Sequence, residues 1–256
     1  MRVRYRQEAI WDRYWKSMVG KVCYREIGSS QFAKKAYQCI KSFINSQTDK
    51  LILEAGCGTG RFCLLFAKDF PHAEVIGIDI SDNSLNIAES AKKEIGVENV
   101  KFEKQDLFSM NYPDNSFDVV FNEGVIEHFG LDGHATYKDA VREMIRVTRR
   151  GGKVIVAVPN WYCFPHTFYK CLLRYLNKEY EYGYEKSFKH EELIKLYNEF
   201  GLREIEISAF YPAHGFYRLS KYSKLFTLLG KAVDLSQFKS FIHKFGIEIL
   251  IKGIKQ

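Results

Sequence analysis

The sequence predicts an α/β fold built on a doubly wound, mostly parallel sheet, and three observations carry that prediction. Short β-type runs alternate with helical patterns from residue 50 to 158, a glycine-rich turn follows the first run, and an acid closes each of the first three runs. Alternation of this kind places crossover helices on both faces of a parallel sheet.

The elements follow in order. LILEA (51–55) precedes the helical RFCLLFAKDF, and EVIGIDI (74–80) precedes SDNSLNIAESAKKEIG, where Ser81 or Asp82 can cap a helix with Ala88, Ala91 and Ile95 along one face. VKFEKQD (100–106) leads into a loop, FDVVFNEG (117–124) into a helix ending near Arg149, and KVIVAVP (153–159) closes the series. Beyond residue 189, HEELIKLYNEFGL reads as a helix stopped by Gly201, REIEISAFY alternates like a strand, and FGIEILIKGIKQ supplies a last strand. Two segments rich in Tyr, Phe, His and Lys, 160–189 and 211–244, interrupt this pattern and read as cap insertions over a pocket.

A chain of 256 residues with 46% apolar content is sufficient for one elaborated domain, 1–256, with a binding core at about 48–160. The N-terminal MRVRYRQEAIWDRYW lacks the apolar core of a secretion signal, and no run is long enough to span a bilayer, so a soluble, cytoplasmic protein is expected. Six cysteines, Cys23, Cys39, Cys57, Cys63, Cys163 and Cys171, show neither a CxxC pair nor zinc spacing, and reduced packing residues are expected. The net charge of +7 is not gathered into a basic tail.

In an open parallel sheet, ligands bind beyond the carboxyl ends of the strands, where a glycine turn brings backbone N–H groups against them. Gly56, Gly58 and Gly60 form such a turn, but as GxGxG, with Arg61 standing where the dinucleotide fingerprint has its third glycine. The Gly-Lys-Ser/Thr of a phosphate-binding Walker loop is absent as well. Asp79, closing the second run, suits the two hydroxyls of a ribose, and Asp106, closing the third, suits the exocyclic amine of an adenine. With Glu54 they form three acids on one sheet edge.

LEAGCGTG, GIDIS, QDLF, FDVVFNEGVIEH and RVTRRGGKVIVAVP, in that order, resemble the successive motifs of class I S-adenosylmethionine-dependent methyltransferases, especially the small-molecule group of ubiquinone and menaquinone methylation. The resemblance covers roughly residues 48–160 and the final strand. It implies a Rossmann-like, seven-stranded sheet with an antiparallel last strand beneath an aromatic-rich cap, and S-adenosyl-L-methionine as cofactor. It further implies that the glycines approach the methionine part, Glu54 meets its ammonium group, Asp79 holds the ribose, and Ile80 packs on the adenine. Asp106 and Leu107 would read the adenine edge, and Asn122 and Glu123 would face the sulfonium.

Such a cofactor already carries the activated methyl group, so the protein has mainly to align an oxygen or nitrogen nucleophile in line with the S–CH3 bond. His128 is the first candidate base, ahead of His166 and His190, with packing beside the cofactor as its structural alternative. Some relatives carry Glu-x-x-Glu-His here and bind a divalent ion. This chain keeps Glu127 and His128 but has Gly124 at the first position, with Glu123 displaced by one, so no metal is expected. Tyr14 and Trp15 are expected to close over the ligands, and FYKCLLRYL (168–176) fits a lid helix, a membrane-touching surface or a homodimer contact.

The expected partner is a small-molecule methyl acceptor. Methylation of RNA or protein is the alternative that the basic balance favours. Against nucleic-acid bases stand NEGV in place of an Asn/Asp-Pro-Pro-aromatic signature, the lack of a Pro-Cys nucleophile, and the absence of an appended RNA-binding module. A non-catalytic S-adenosylmethionine-binding protein is the third reading.

Overall fold

The computed structural model describes residues 2–18, 28–130, 136–178, 180, 183–235 and 244–256; Cys23 lies outside them. Seven strands, β1 (Leu51–Ala55), β2 (Glu74–Asp79), β3 (Val100–Lys104), β4 (Phe117–Glu123), β5 (Thr148–Pro159), β6 (Arg203–Phe210) and β7 (Glu248–Ile254), form one sheet in the order β3-β2-β1-β4-β5-β7-β6. β3 to β5 pair in parallel across this order, and β7 runs antiparallel to both β5 and β6. The α/β, mostly parallel architecture with an antiparallel last strand is as the sequence predicts.

Several boundaries differ by a few residues. β3 stops at Lys104, so Asp106 sits two residues past the strand, in a turn where it bridges to Ser109. β2 stops at Asp79, leaving Ile80 in the connection. β5 begins at Thr148 because Arg149–Gly152 continue the strand beyond a register shift against β4, at Phe117/Val119.

The central strands are apolar on both sides because helices cover both faces. Adjacent residues of β1 serve opposite cores: Ile52 joins one with α2 (Gln31–Lys41), α3 (Arg61–Asp69) and α4 (Asp82–Ile95), and Leu53 joins the other with α5 (Tyr137–Val147) and α7 (His190–Glu199). Ser81 caps α4 by accepting the Ser84 N–H, and Gly96 ends it in a left-handed conformation. α2 went unread in the sequence, although Ala33, Ala36, Tyr37 and Ile40 are spaced for one buried helical face behind the Ser30 cap.

The helices α6 (Phe164–Tyr175), α8 (Ala213–Leu219) and α9 (Lys224–Leu235) pack around Tyr169, Leu173 and Leu219. The N-terminal α1 (Arg2–Met18) is anchored by Asp12, whose carboxylate accepts the Ser81 hydroxyl at 3.0 Å and the Asn83 amide at 2.8 Å. That anchor carries three aromatic residues of α1 to the carboxyl edge of the sheet.

Candidate functional site

At the end of β1 the chain turns so sharply that Gly56 and Cys57 both donate backbone N–H groups to the Ile78 carbonyl at 2.8 Å. Gly56, Gly58 and Gly60 all have positive φ. Any Cβ at Gly56 would lie 2.5 Å from Val125, and at Gly60 2.4 Å from the Phe102 ring, so two of the three glycines are demanded by the protein's own packing. Gly58 instead keeps the Trp15 ring of α1 against its backbone.

This turn forms one wall of a pocket of about 530 Å³ along the carboxyl edge of the sheet. Of the residues assigned to the cofactor by resemblance, Glu54, Gly56, Gly58, Asp79, Ile80, Asp106, Leu107 and Glu123 line it. Gly60 and Asn122 do not. Gly60 starts α3 behind the wall, against Phe102 and Ala88. Asn122 is fully buried, its amide donating to the Ala55 carbonyl while its oxygen accepts the Ile126 N–H, so it stitches β4 to β1.

Each acid has a defined setting. Asp79 accepts the N–H groups of Gly58 at 2.8 Å and Ser81 at 2.9 Å, and burial outweighs these bonds to push its carboxyl above the usual range. Glu54 is buried against Cys63, accepting its N–H at 3.1 Å and its S–H at 2.9 Å, and burial pushes it up to about 8. Asp106 accepts the Phe108 N–H at 3.0 Å. Glu123 is paired with Arg61 at 3.1 Å, so the side chain in place of the third glycine supplies a cation to the end of β4.

The other half of the pocket lies beyond β4, β5 and β7. His128, on the 3-10 turn Ile126–His128, sits edge-on to Trp11 at 5.1 Å between ring centres. Its Nδ1 lies 2.6 Å from the Tyr184 carbonyl, which can only accept, so Nδ1 carries the proton and Nε2 keeps the lone pair. Burial lowers its pKa and keeps the ring neutral. His166 also faces the pocket, donating from Nε2 to Glu185 at 3.1 Å, whereas His190 stacks on Tyr162 outside it. Burial opposes ionisation of Glu185, but His166, Lys170 and Tyr180 together hold it down to about 2.

Glu185, His214, Arg218 and Glu248 were missed in the sequence. The first three lie in the aromatic insertions without a motif around them, and Glu248 is the lone acid opening an apolar strand. That last anomaly was the available signal. Among the described residues, no three His, Cys, Asp or Glu side chains converge closely enough to hold a metal. Cys39, Cys57, Cys63, Cys163 and Cys171 are free, and no described helix is long and apolar enough to cross a membrane.

The chain is similar to known proteins in sequence and in fold. Demethylmenaquinone methyltransferase of Geobacillus kaustophilus is 29% identical over 184 residues, covering 65% of this chain and 76% of that protein. Its counterpart in Geobacillus stearothermophilus is 32% identical over 130 residues, covering 49% of this chain and 53% of that one. A Thermotoga maritima structure described as an S-adenosylmethionine-dependent methyltransferase, a possible histamine N-methyltransferase, superposes with a TM-score of 0.65 at 18% identity, over 98% of this chain and 100% of that one. Phosphoethanolamine N-methyltransferase 2 of Haemonchus contortus, solved with S-adenosyl-L-methionine, superposes at 0.59 with 19% identity, over 86% of this chain and 52% of that one. These two likenesses establish the shared fold. Residues 46–198 match the methyltransferase domain family, and since they are more than half of the 256 residues, the chain belongs to that family.

Proposed function

We propose that this chain is an S-adenosyl-L-methionine-dependent methyltransferase that moves the methyl group in line to an oxygen or nitrogen of a small molecule. The observation that carries this reading is the division of one pocket into two chemically distinct halves: acids closing or following β1, β2 and β3, and buried histidines and glutamates beyond β4, β5 and β7. The first half fits the cofactor. Glu54, pushed up to about 8 by burial, lacks the full partner that an ammonium group would be, and Asp79 is fixed by two backbone donors at the height of the glycine turn.

When bound, the cofactor supplies a methyl group on positive sulfur, and the chain's task is to place the acceptor and exclude water. Trp11, Tyr14 and Trp15 of α1 line the pocket, with the Trp15 ring against Gly58, which supports the closing role expected for the last two. His128 offers an Nε2 lone pair toward the second half and is suited to take an acceptor proton. The described residues of 160–189 and 211–244 contribute His166, Glu185, His214 and Arg218 to the wall, which supports their reading as a cap, while 179, 181, 182 and 236–243 lie outside the described residues. A pocket walled on so many sides favours a small acceptor over RNA or protein.

Purified protein incubated with tritiated-methyl S-adenosylmethionine and metabolite, lipid and small-RNA pools tests the reading, with label expected in a small molecule. Calorimetry showing NAD binding without S-adenosylmethionine binding would overturn it.

A further inference from the structure

The acceptor half of the pocket holds more carboxyl groups than partners for them. Glu123, Glu127, Glu185 and Glu248 all line it. Glu123 has Arg61 at 3.1 Å, and Glu185 has His166 at 3.1 Å, Lys170 at 3.2 Å and the Tyr180 hydroxyl at 2.9 Å. Glu127 and Glu248 are 2% and 8% exposed, yet each keeps a buried Oε2 that meets no donor, and Nδ1 of the 1% exposed His166 is likewise unmatched. Arg218 lies over the rings of Tyr169 and Tyr180, at 5.4 and 5.7 Å. Native interiors rarely leave two carboxyl groups in this condition, and a cation is what both lack.

Resting on the methyltransferase reading above, we propose that the methyl acceptor is a small amine, recognised as a cation by Glu127 and Glu248. The reaction's charge flow supports this. An ammonium held there passes one N–H proton to Nε2 of His128, which lies 3.9 Å from Glu127 Oε1, and gains a lone pair. Nitrogen then forms the N–C bond as the C–S bond breaks, sulfur keeps the bonding pair, and the positive charge moves from sulfur to nitrogen. Fixed acids beside that nitrogen stabilise the charge where it develops. A phenol or hydroxy acid must instead attack as an anion, which the same acids repel. Burial, with Glu123 and Glu185 nearby, favours the protonated forms of Glu127 and Glu248 while no cation is present, so an ammonium displaces protons on binding.

Calorimetry separates this inference from the reading beneath it. S-adenosylhomocysteine titrated into the protein tests the cofactor site; 2-phenylethylamine and ethanolamine, against catechol and 4-hydroxybenzoate, are then titrated into the complex. The amines bind with proton release, and Glu127→Gln or Glu248→Gln weakens them more than tenfold while S-adenosylhomocysteine affinity, which reports intact folding, stays within twofold. Binding of catechol or 4-hydroxybenzoate without either amine, or occupation of the acids by magnesium in preference to amines, overturns the amine assignment and leaves methyl transfer standing. Amine binding without S-adenosylhomocysteine binding retains the cation site and overturns the methyltransferase reading; binding of neither overturns both.

A different surface carries a second inference. α6 buries Pro165, His166, Tyr169 and Leu173, yet its opposite side presents Phe164 and Tyr175 at 74% and 84% exposure. The four leucines of α9, Leu225, Leu228, Leu229 and Leu235, are all exposed. Exposed Arg174, Lys178, Lys221, Lys224 and Lys231 lie on and between these helices. The segments 160–189 and 211–244 contain eleven Lys and Arg against four Asp and Glu, a surplus equal to the chain's entire +7. The geometry points to an anionic lipid surface as the partner of this face, with the leucines at the acyl boundary and the basic side chains among the headgroups.

Co-sedimentation with vesicles of seven parts phosphatidylcholine to three parts phosphatidylglycerol tests it. Binding is expected at low salt, with at least a tenfold loss in high salt, on pure phosphatidylcholine, or in the triple variant Leu225→Ser, Leu228→Ser, Leu229→Ser. Absence of vesicle binding overturns the inference, as does a dimer in light scattering that the triple variant dissociates, because a second copy then covers the face.

Discussion

Asp79 accepts the backbone N–H of Gly58 at 2.8 Å, which ties the acid that closes β2 to the glycine turn that follows β1. The two signals read separately in the sequence are one structural unit, and the acid is oriented before any ligand arrives. Asp79→Ala is expected to weaken S-adenosylmethionine binding by about 1.5–3 kcal/mol, the range for hydrogen bonds to a charged group. Calorimetry checks this, and unchanged affinity would place the ribose elsewhere.

Glu54 sets a pH dependence. Its carboxyl is raised from 4.5 to about 8, so its contribution to the stability of the ligand-free fold is full below 4.5 and is lost as pH rises toward about 8. An ammonium placed beside it reverses the preference. Binding of S-adenosylmethionine at pH 7 should therefore release a proton, and the rise in melting temperature on binding should grow between pH 6 and pH 8. Titrations in two buffers of different ionisation enthalpy measure the release; if Glu54→Gln releases as much, the proton comes from another group.

His128 has its tautomer fixed by the Tyr184 carbonyl, leaving Nε2 to accept a proton. If it acts as base, His128→Ala should lower kcat by about a hundredfold or more with little change in cofactor affinity. Activity is expected to survive EDTA, because Gly124 offers no ligand beside Glu127 and His128. Loss with EDTA and recovery with magnesium would contradict this.

The cap should exchange faster than the sheet. Amides of α6, α8 and α9 are expected to exchange well before those of β1 in the free protein and to slow when ligands bind. Equal protection of α6 and β1 without ligand would mean that the cap is a fixed wall.

Gly60 tests the packing account of the glycine turn. With φ of 71° and Phe102 standing 2.4 Å from a built Cβ, Gly60→Ala should lower stability by about 1–2 kcal/mol from the left-handed conformation alone, and by more through the displaced ring. Chemical denaturation measures it. An unaltered midpoint would return the glycine to a ligand-facing role.

The sequence by itself determined the parallel sheet and its seven strands, and it put Glu54, Asp79 and Asp106 at one edge, where they line the pocket, because strand periodicity, turn chemistry and motif order are local properties of the chain. It could not separate residues that face the pocket from residues that build its wall. Asn122 and Gly60 sit within the motifs yet serve β1 and Phe102, and one residue's difference along a strand turns a side chain to the other side. Nor could it show that Glu127 and Glu248, 121 positions apart, line one pocket, each with a buried Oε2 that meets no donor. That meeting depends on β7 inserting antiparallel between β5 and β6, which brings its first residue to the edge where the parallel strands end, opposite Pro159. The meeting of these two carboxyl groups at one end of the pocket is thus a product of sheet order, and only the tertiary structure decides it.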